Sequence, residues 1–163
     1  MDRLWAPWRR PYILSDHDEP QGCIFCDLPA AGSEHYRDNL ILSCGERAFL
    51  ILNRYPYNNG HVMVVPRAHV ADPTALSTSD YRALTELLRR ATEALRRTHD
   101  PDGINVGMNL GRTAGAGIAD HCHYHLVPRW NGDTNFMPVT AEAKIIVQSL
   151  EEMYRVLQEH RTT

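Results

Sequence analysis

Three histidines at strict alternation, His121, His123 and His125, stand in the run His121-Cys122-His123-Tyr124-His125-Leu126-Val127-Pro128-Arg129. On a helix, residues two apart point to nearly opposite sides; on a strand they share a face. Aromatic and β-branched neighbours, glycines before the run and a proline after it predict a strand. The three imidazoles then share one face, with Cys122, Tyr124 and Leu126 on the other. At roughly 3.3 Å per residue the outer two lie about 13 Å apart. A zinc–nitrogen bond is only about 2 Å, so one ion cannot easily collect all three. The triad must divide its labour among metal ligation, nucleophilic attack and proton transfer, each open to imidazole near neutral pH.

Cys23-Ile24-Phe25-Cys26 has the spacing with which two thiolates grip a tetrahedral zinc ion, although a redox pair uses it too. Gly22 suits a tight knuckle, and no second pair of this spacing completes a four-cysteine site. Two histidines are the natural remaining ligands, with His35, His61, His69 and His121 as candidates. If His121 is one of them, His123 and His125 remain for chemistry. Four protein ligands would close the shell and make the site structural. Between Asn109 and the triad lie Gly111, Gly115 and Gly117, spacing that lets backbone approach a ligand and offers successive N–H groups to an anion. The stretch is neither a P-loop nor a dinucleotide fingerprint, since it lacks Gly-Lys-Ser/Thr and leads into a strand.

Short strands are predicted over 39–42, 48–52, 61–65, 104–109 and 121–127, with Asn58-Asn59-Gly60 turning the chain between the second and third. Tyr81, Leu84, Leu87, Leu88, Ala91 and Leu95 form one apolar stripe in a helix over 79–98. Ser77, Thr78 and Ser79 offer N-caps, and Arg96 and Arg97 suit its negative C-terminal end. A second helix over 141–159 carries Ile146, Leu150, Met153 and Leu157. The fold class is α+β: an antiparallel sheet, one main helix and a C-terminal helix. The 163 residues read as one domain, with 1–20 as an arm anchored by Trp5, Trp8 and Tyr12 and 140–163 as the C-terminal helical segment.

A formal net charge of −3 gives no bulk attraction to nucleic acid or a membrane surface, and no apolar run is long enough to span a bilayer. Arginines and tryptophans occupy the place where a signal peptide would carry its apolar segment, and one close cysteine pair does not make a secreted framework. These features point to the cytoplasm. Cys44 and Cys122 are expected to be free thiols.

The residues resemble a known family. HCHYHLV matches the His-x-His-x-His-x-x signature of the histidine-triad nucleotide hydrolases and transferases, and the similarity extends through CIFC, NRYPYNNGHVMVVPRAH and PRWNGDTNF. LWAPWRRPYI and PRWNGDTNFMP look like the branch that contains bacterial diadenosine tetraphosphate phosphorylases. The resemblance implies that His123 attacks the α-phosphate and that His125 contacts the phosphate, with His61 lining the same side. It also implies that Asn53 binds the ribose hydroxyls, that Ile24, Phe25, Leu28 and Ile51 flank the base, and that Asn109 steadies the phosphate region. The zinc ligands it implies are Cys23, Cys26, His69 and His121. The implied substrate is a nucleotide or dinucleoside polyphosphate, with inorganic phosphate or water as acceptor, and the implied assembly is a homodimer. One departure concerns the hydroxyl that many relatives place shortly before the triad. Gly117-Ile118 stand there instead, and backbone N–H groups from Gly115, Ala116, Gly117 and Ile118 are expected to replace it.

Overall fold

Phe49-Leu50-Ile51-Leu52 and Val62-Met63-Val64-Val65 are apolar at every position, so strands built from them need cover on both faces. The computed structural model, which describes residues 22–134 and 146–159, shows that cover. Strands β1 (Ile41–Cys44), β2 (Ala48–Leu52), β3 (Val62–Pro66), β4 (Gly103–Gly107) and β5 (Tyr124–Arg129) form one antiparallel sheet in the order β1-β2-β3-β5-β4. Helices α1 (Ile24–Ala30), α2 (Thr78–His99) and α3 (Leu150–Glu159) complete the α+β architecture.

Period-two alternation sorts the strands into two cores. Leu50, Leu52, Val62, Val64 and Leu126 pack beneath Leu84, Ala91 and Leu95 of α2 and Met153 and Leu157 of α3. On the opposite face Ile41, Phe49, Ile51, Met63 and Val65 pack with Phe25 of α1. Met63 pairs with His125 across β3 and β5, so the triad strand shows its histidine to the α1 face. That face holds the site.

Several boundaries differ from the sequence expectation. The strand predicted over 121–127 starts at Tyr124, because the Cys122 N–H donates to Val70 O (2.7 Å) in the segment after β3 instead of joining the ladder. The strand predicted over 104–109 is β4, and it ends at Gly107. Strand β1 begins two residues later than predicted, since Leu40 takes a positive φ of 61° at its entrance. The 61–65 strand is shifted by one, with His61 bonded through its N–H to Asn58 O (3.2 Å) as the last residue of the turn. The C-terminal helix begins at Leu150, later than the predicted 141. Ser149 starts it, its carbonyl accepting from Met153 N–H and its hydroxyl from Glu152 N–H. The rest of that expectation (140–145 and 160–163) and the arm residues Trp5, Trp8 and Tyr12 lie outside the described residues. Ser77 caps α2 through Asp80 N–H, as its position suggested. Among the described residues no helix is long and apolar enough to cross a membrane.

His99 ends α2 against Gly60, whose absent Cβ would come within 3.1 Å of the ring. Burial lowers its imidazole below the ordinary histidine value of 6.5. The unfolded chain therefore takes up this proton first, and stability falls as pH drops below about 6.5. Thermal midpoints measured from pH 7.5 to 5.5 should decline, and His99→Phe should flatten part of that decline. A parallel decline in the variant would remove His99 from the effect.

Candidate active site and metal centre

Helix α1 has no counterpart in the sequence reading, which saw only a knuckle. It carries Cys23 at its N-cap, Cys26 one turn on, and Phe25 between them, 1% exposed. Cys23, Cys26, His69 and His121 converge so that their ligand atoms all lie within 4.8 Å of one another. His121 Nδ1 is 3.3 Å from Cys23 Sγ and 3.7 Å from Cys26 Sγ, and His69 Nδ1 is 3.5 Å from Cys26 Sγ. A tetrahedral zinc ion with bonds of 2.0–2.3 Å has ligand–ligand edges of about 3.3–3.8 Å, so these residues fit the ion. The tautomer fits as well. His121 Nε2 faces Pro66 O at 2.9 Å, and a carbonyl only accepts, so the proton sits there and the Nδ1 lone pair faces the thiols. Burial and the neighbouring Cys23 push the Cys26 thiol up, an effect that a divalent cation at this point would reverse. The other two candidate ligands go elsewhere: His35 sits beside Glu34, and His61 is buried against His125.

Beside this cluster opens a cavity of about 510 Å³. Ile24, Phe25, Leu28, Leu40, Ile51 and Met63 give it apolar walls, and Gly115, Gly117, Ile118, His123 and His125 also line it. Among the described residues that line it there is no carboxylate, while Arg54 is one of them, so the site favours an anion with an apolar body.

The hydrogen bonds assign a protonation state to each histidine here. His123 Nδ1 lies 2.9 Å from His121 O and must donate, which leaves the lone pair on Nε2. Burial holds the His123 imidazole below the ordinary histidine value, so the ring is neutral at neutral pH. Phe25 packs edge-on against it, with centroids 4.9 Å apart, and restrains its rotation. His61 Nδ1 accepts from Tyr57 N–H (3.0 Å) and faces Asn53 Nδ2 (3.2 Å), so its proton is on Nε2. That proton points to His125 Nδ1 at 3.0 Å. His125 in turn carries its own on Nε2, the atom able to donate to a phosphate oxygen. The pair thus offers a nucleophilic nitrogen and, with ring centroids 4.8 Å apart, an N–H donor.

Three of the expected site residues stand behind or beside the cavity wall. His61 does not line the cavity: it is 0% exposed and stands behind His125. Asn109 and Ala116 are not lining residues either. Asn109 donates to Gly115 O (3.4 Å) from outside, and half-buried Ala116 lies between two glycines that do line it. The positive φ of Gly111 and Gly115 turns that loop about itself, which spacing alone did not show. Missed entirely were Asn39, Leu40, Leu52, Arg54, Tyr55, Pro56, Tyr57 and Met63. Met63 was detectable as the residue in register with His125. Tyr57, its ring tilted against His61 with centroids 4.6 Å apart, follows Asn53 in a segment rich in aromatic residues and proline.

The HIT-domain family model matches residues 37–132, more than half of the chain. The chain belongs to the HIT family. It is 34% identical over 96% of its length to an AP-4-A phosphorylase of Mycobacterium tuberculosis, covering 83% of that protein. It is 30% identical to an adenosine 5′-monophosphoramidase of Schizosaccharomyces pombe, over 67% of this chain and 75% of the other. A crystal structure of a Zn-bound histidine triad family protein from Mycobacterium smegmatis superposes with a TM-score of 0.67 at 26% identity, covering 85% of this chain and 92% of that one. Membership of the HIT family makes this a nucleotide-processing protein.

Proposed function

We propose that this HIT protein transfers a nucleotidyl group from a dinucleoside polyphosphate, most concretely diadenosine tetraphosphate, to inorganic phosphate. The observation that carries the reading is the His123 tautomer, with Nδ1–H held by His121 O and the Nε2 lone pair at a cavity that suits an apolar anion. The identity to an AP-4-A phosphorylase over nearly the whole chain supports the choice of substrate. His123 Nε2 attacks the α-phosphorus, the bond to the bridging oxygen breaks, and ATP leaves. His125 donates from Nε2–H to the phosphate oxygens as charge moves to the leaving group. A phosphate oxygen then attacks the same phosphorus, the P–N bond breaks, and ADP leaves with His123 restored. Water in place of phosphate would give AMP, and a product assay with and without phosphate separates the acceptors. Equal ATP and ADP, dependent on phosphate, is the expected result. ATP plus AMP would replace phosphorolysis by hydrolysis, and two ADP would overturn attack at the α-phosphate.

In this reading Ile24, Phe25, Leu28 and Ile51 receive the base, and the backbone N–H groups of Gly117 and Ile118 face the phosphate, whereas those of Gly115 and Ala116, expected to do the same, donate within the loop to Arg112 O (2.9 Å) and Gly111 O (3.3 Å). Asn109 holds that loop from behind. A zinc ion on Cys23, Cys26, His69 and His121 is structural, cross-linking α1 to the triad segment. A homodimer through β4 accompanies it. This strand is a sheet edge with Val106 46% exposed, whereas α3 covers the β1 edge through Tyr154 and Gln158.

Asn53 binds the ribose hydroxyls. Its Oδ1 already accepts from Tyr55 N–H at 2.9 Å in an Asx turn, and the residue lines the cavity. Asn53→Ala should weaken ribonucleotide binding by about 1–2 kcal/mol, with a smaller loss for a 2′,3′-dideoxy analogue. Calorimetry on both ligands decides: equal losses would leave only the turn.

A further inference from the structure

The amide of Asn39 has its nitrogen in use and its oxygen to spare. Asn39 Nδ2 donates to Leu28 O (3.1 Å), one of the last four carbonyls of α1, which a helix leaves without an internal partner. A carbonyl only accepts, so the nitrogen must face Leu28, and the amide cannot flip without losing that bond. Oδ1 is thereby fixed as an acceptor, and among the described residues no donor is bonded to it. Asn39 is half-buried and lines the cavity. Its backbone is set as firmly. Asn39 N–H donates to His35 O (2.9 Å). Leu40, at its positive φ of 61°, donates to Arg37 O (3.0 Å) and accepts from Leu52 N–H (2.9 Å). A side chain so placed is preorganised for a ligand.

Helix α1 decides which end of the cavity this is. Ile24, Phe25 and Leu28 all line it, so the cavity runs along the helix. Phe25 in the first turn packs on His123, whereas Leu28 lies about 4.5 Å further along the axis. Asn39, bonded to Leu28, thus stands at the end away from the nucleophile. With the α-phosphate at His123 and the base along the apolar wall, the outer edge of the base comes to Asn39. Adenine presents an amino group there, and guanine or hypoxanthine a carbonyl oxygen. We infer that Asn39 is a specificity-determining residue that selects adenine, its Oδ1 accepting from the 6-amino group. The inference rests on the nucleotidyl-transfer reading above, from which it takes the orientation of the base. Arg54 lines the same cavity and reaches Asp38 O (3.4 Å), next to Asn39, and its donors would suit a carbonyl on the base. Asn39 is favoured because it is half-buried and locked by its bond, whereas Arg54 is exposed.

The test is calorimetry with AMP, with purine riboside 5′-monophosphate, which lacks only the amino group, and with IMP, which has a carbonyl in its place. The wild type should bind AMP about tenfold more tightly than either of the others, the scale of one hydrogen bond. Asn39→Ala should bring all three within about twofold of one another, the amino group having lost its acceptor. Losing the bond to Leu28 O weakens the three alike, so the ratio of affinities is the readout, and the wild-type ratio stands even if the variant fails to fold. A wild type that binds the three equally would overturn the inference, as would a preference for AMP that survives unchanged in folded Asn39→Ala. Tighter binding of IMP than of AMP would overturn it too, and would give the base edge to Arg54. Turnover separates this inference from the reading it rests on. Selective binding of AMP by a protein that leaves diadenosine tetraphosphate intact would support the role of Asn39 and sink nucleotidyl transfer.

Discussion

His123→Ala is expected to lose at least about 10³ in turnover of a dinucleoside polyphosphate while the protein stays folded, because no other group replaces the nucleophile. The ring is 4% exposed and packed edge-on to Phe25, so alanine leaves a small cavity. His123→Gln fills that space with a side chain that is not an effective nucleophile, and should be as inactive as alanine with a smaller loss of stability. Intact-mass measurement after acid-free quenching should show a nucleotidyl adduct on the wild type and none on either variant. Turnover by folded His123→Gln within tenfold of the wild type would take His123 out of the mechanism. His61→Ala tests the supporting bond from the other side. Losing the Nε2–H donor frees the His125 tautomer, so kcat should fall further than nucleotide affinity.

Removing the metal should have the second large effect. Zinc held a thousandfold above its dissociation constant stabilises the folded state by about 4 kcal/mol. In a domain of this size that corresponds to roughly 10 °C in Tm. Cys23→Ser or Cys26→Ser should therefore lose zinc by elemental analysis and lower Tm together. The domain should still fold, since the core packed beneath α2 and α3 lies on the sheet face opposite the four ligands. Nucleotide affinity should drop as well, because the same helix carries the thiols and the wall residues Ile24, Phe25 and Leu28. A metal-free purified protein whose Tm does not respond to added zinc or to a chelator would contradict a structural ion.

The alternation of His121, His123 and His125 and the Cys23–Cys26 spacing are local patterns, and local geometry is enough to read them. The sequence therefore determined that the triad must divide its labour, that an amphipathic helix follows the first strands, and that Ala48–Leu52 is a strand. It left His35, His61, His69 and His121 open as ligands, because which of them meets the thiols depends on chain segments 43 to 98 residues apart. Only the tertiary structure brought His69 and His121 to α1 and put His61 behind His125. Only there do the carbonyls of Pro66 and His121 fix which nitrogen of each ring bears the proton. The mouth of the cavity was hidden for the same reason. Tyr55 and Arg54 follow no periodic pattern, and a loop residue acquires its role from what the sheet, α1 and the glycine loop place opposite it.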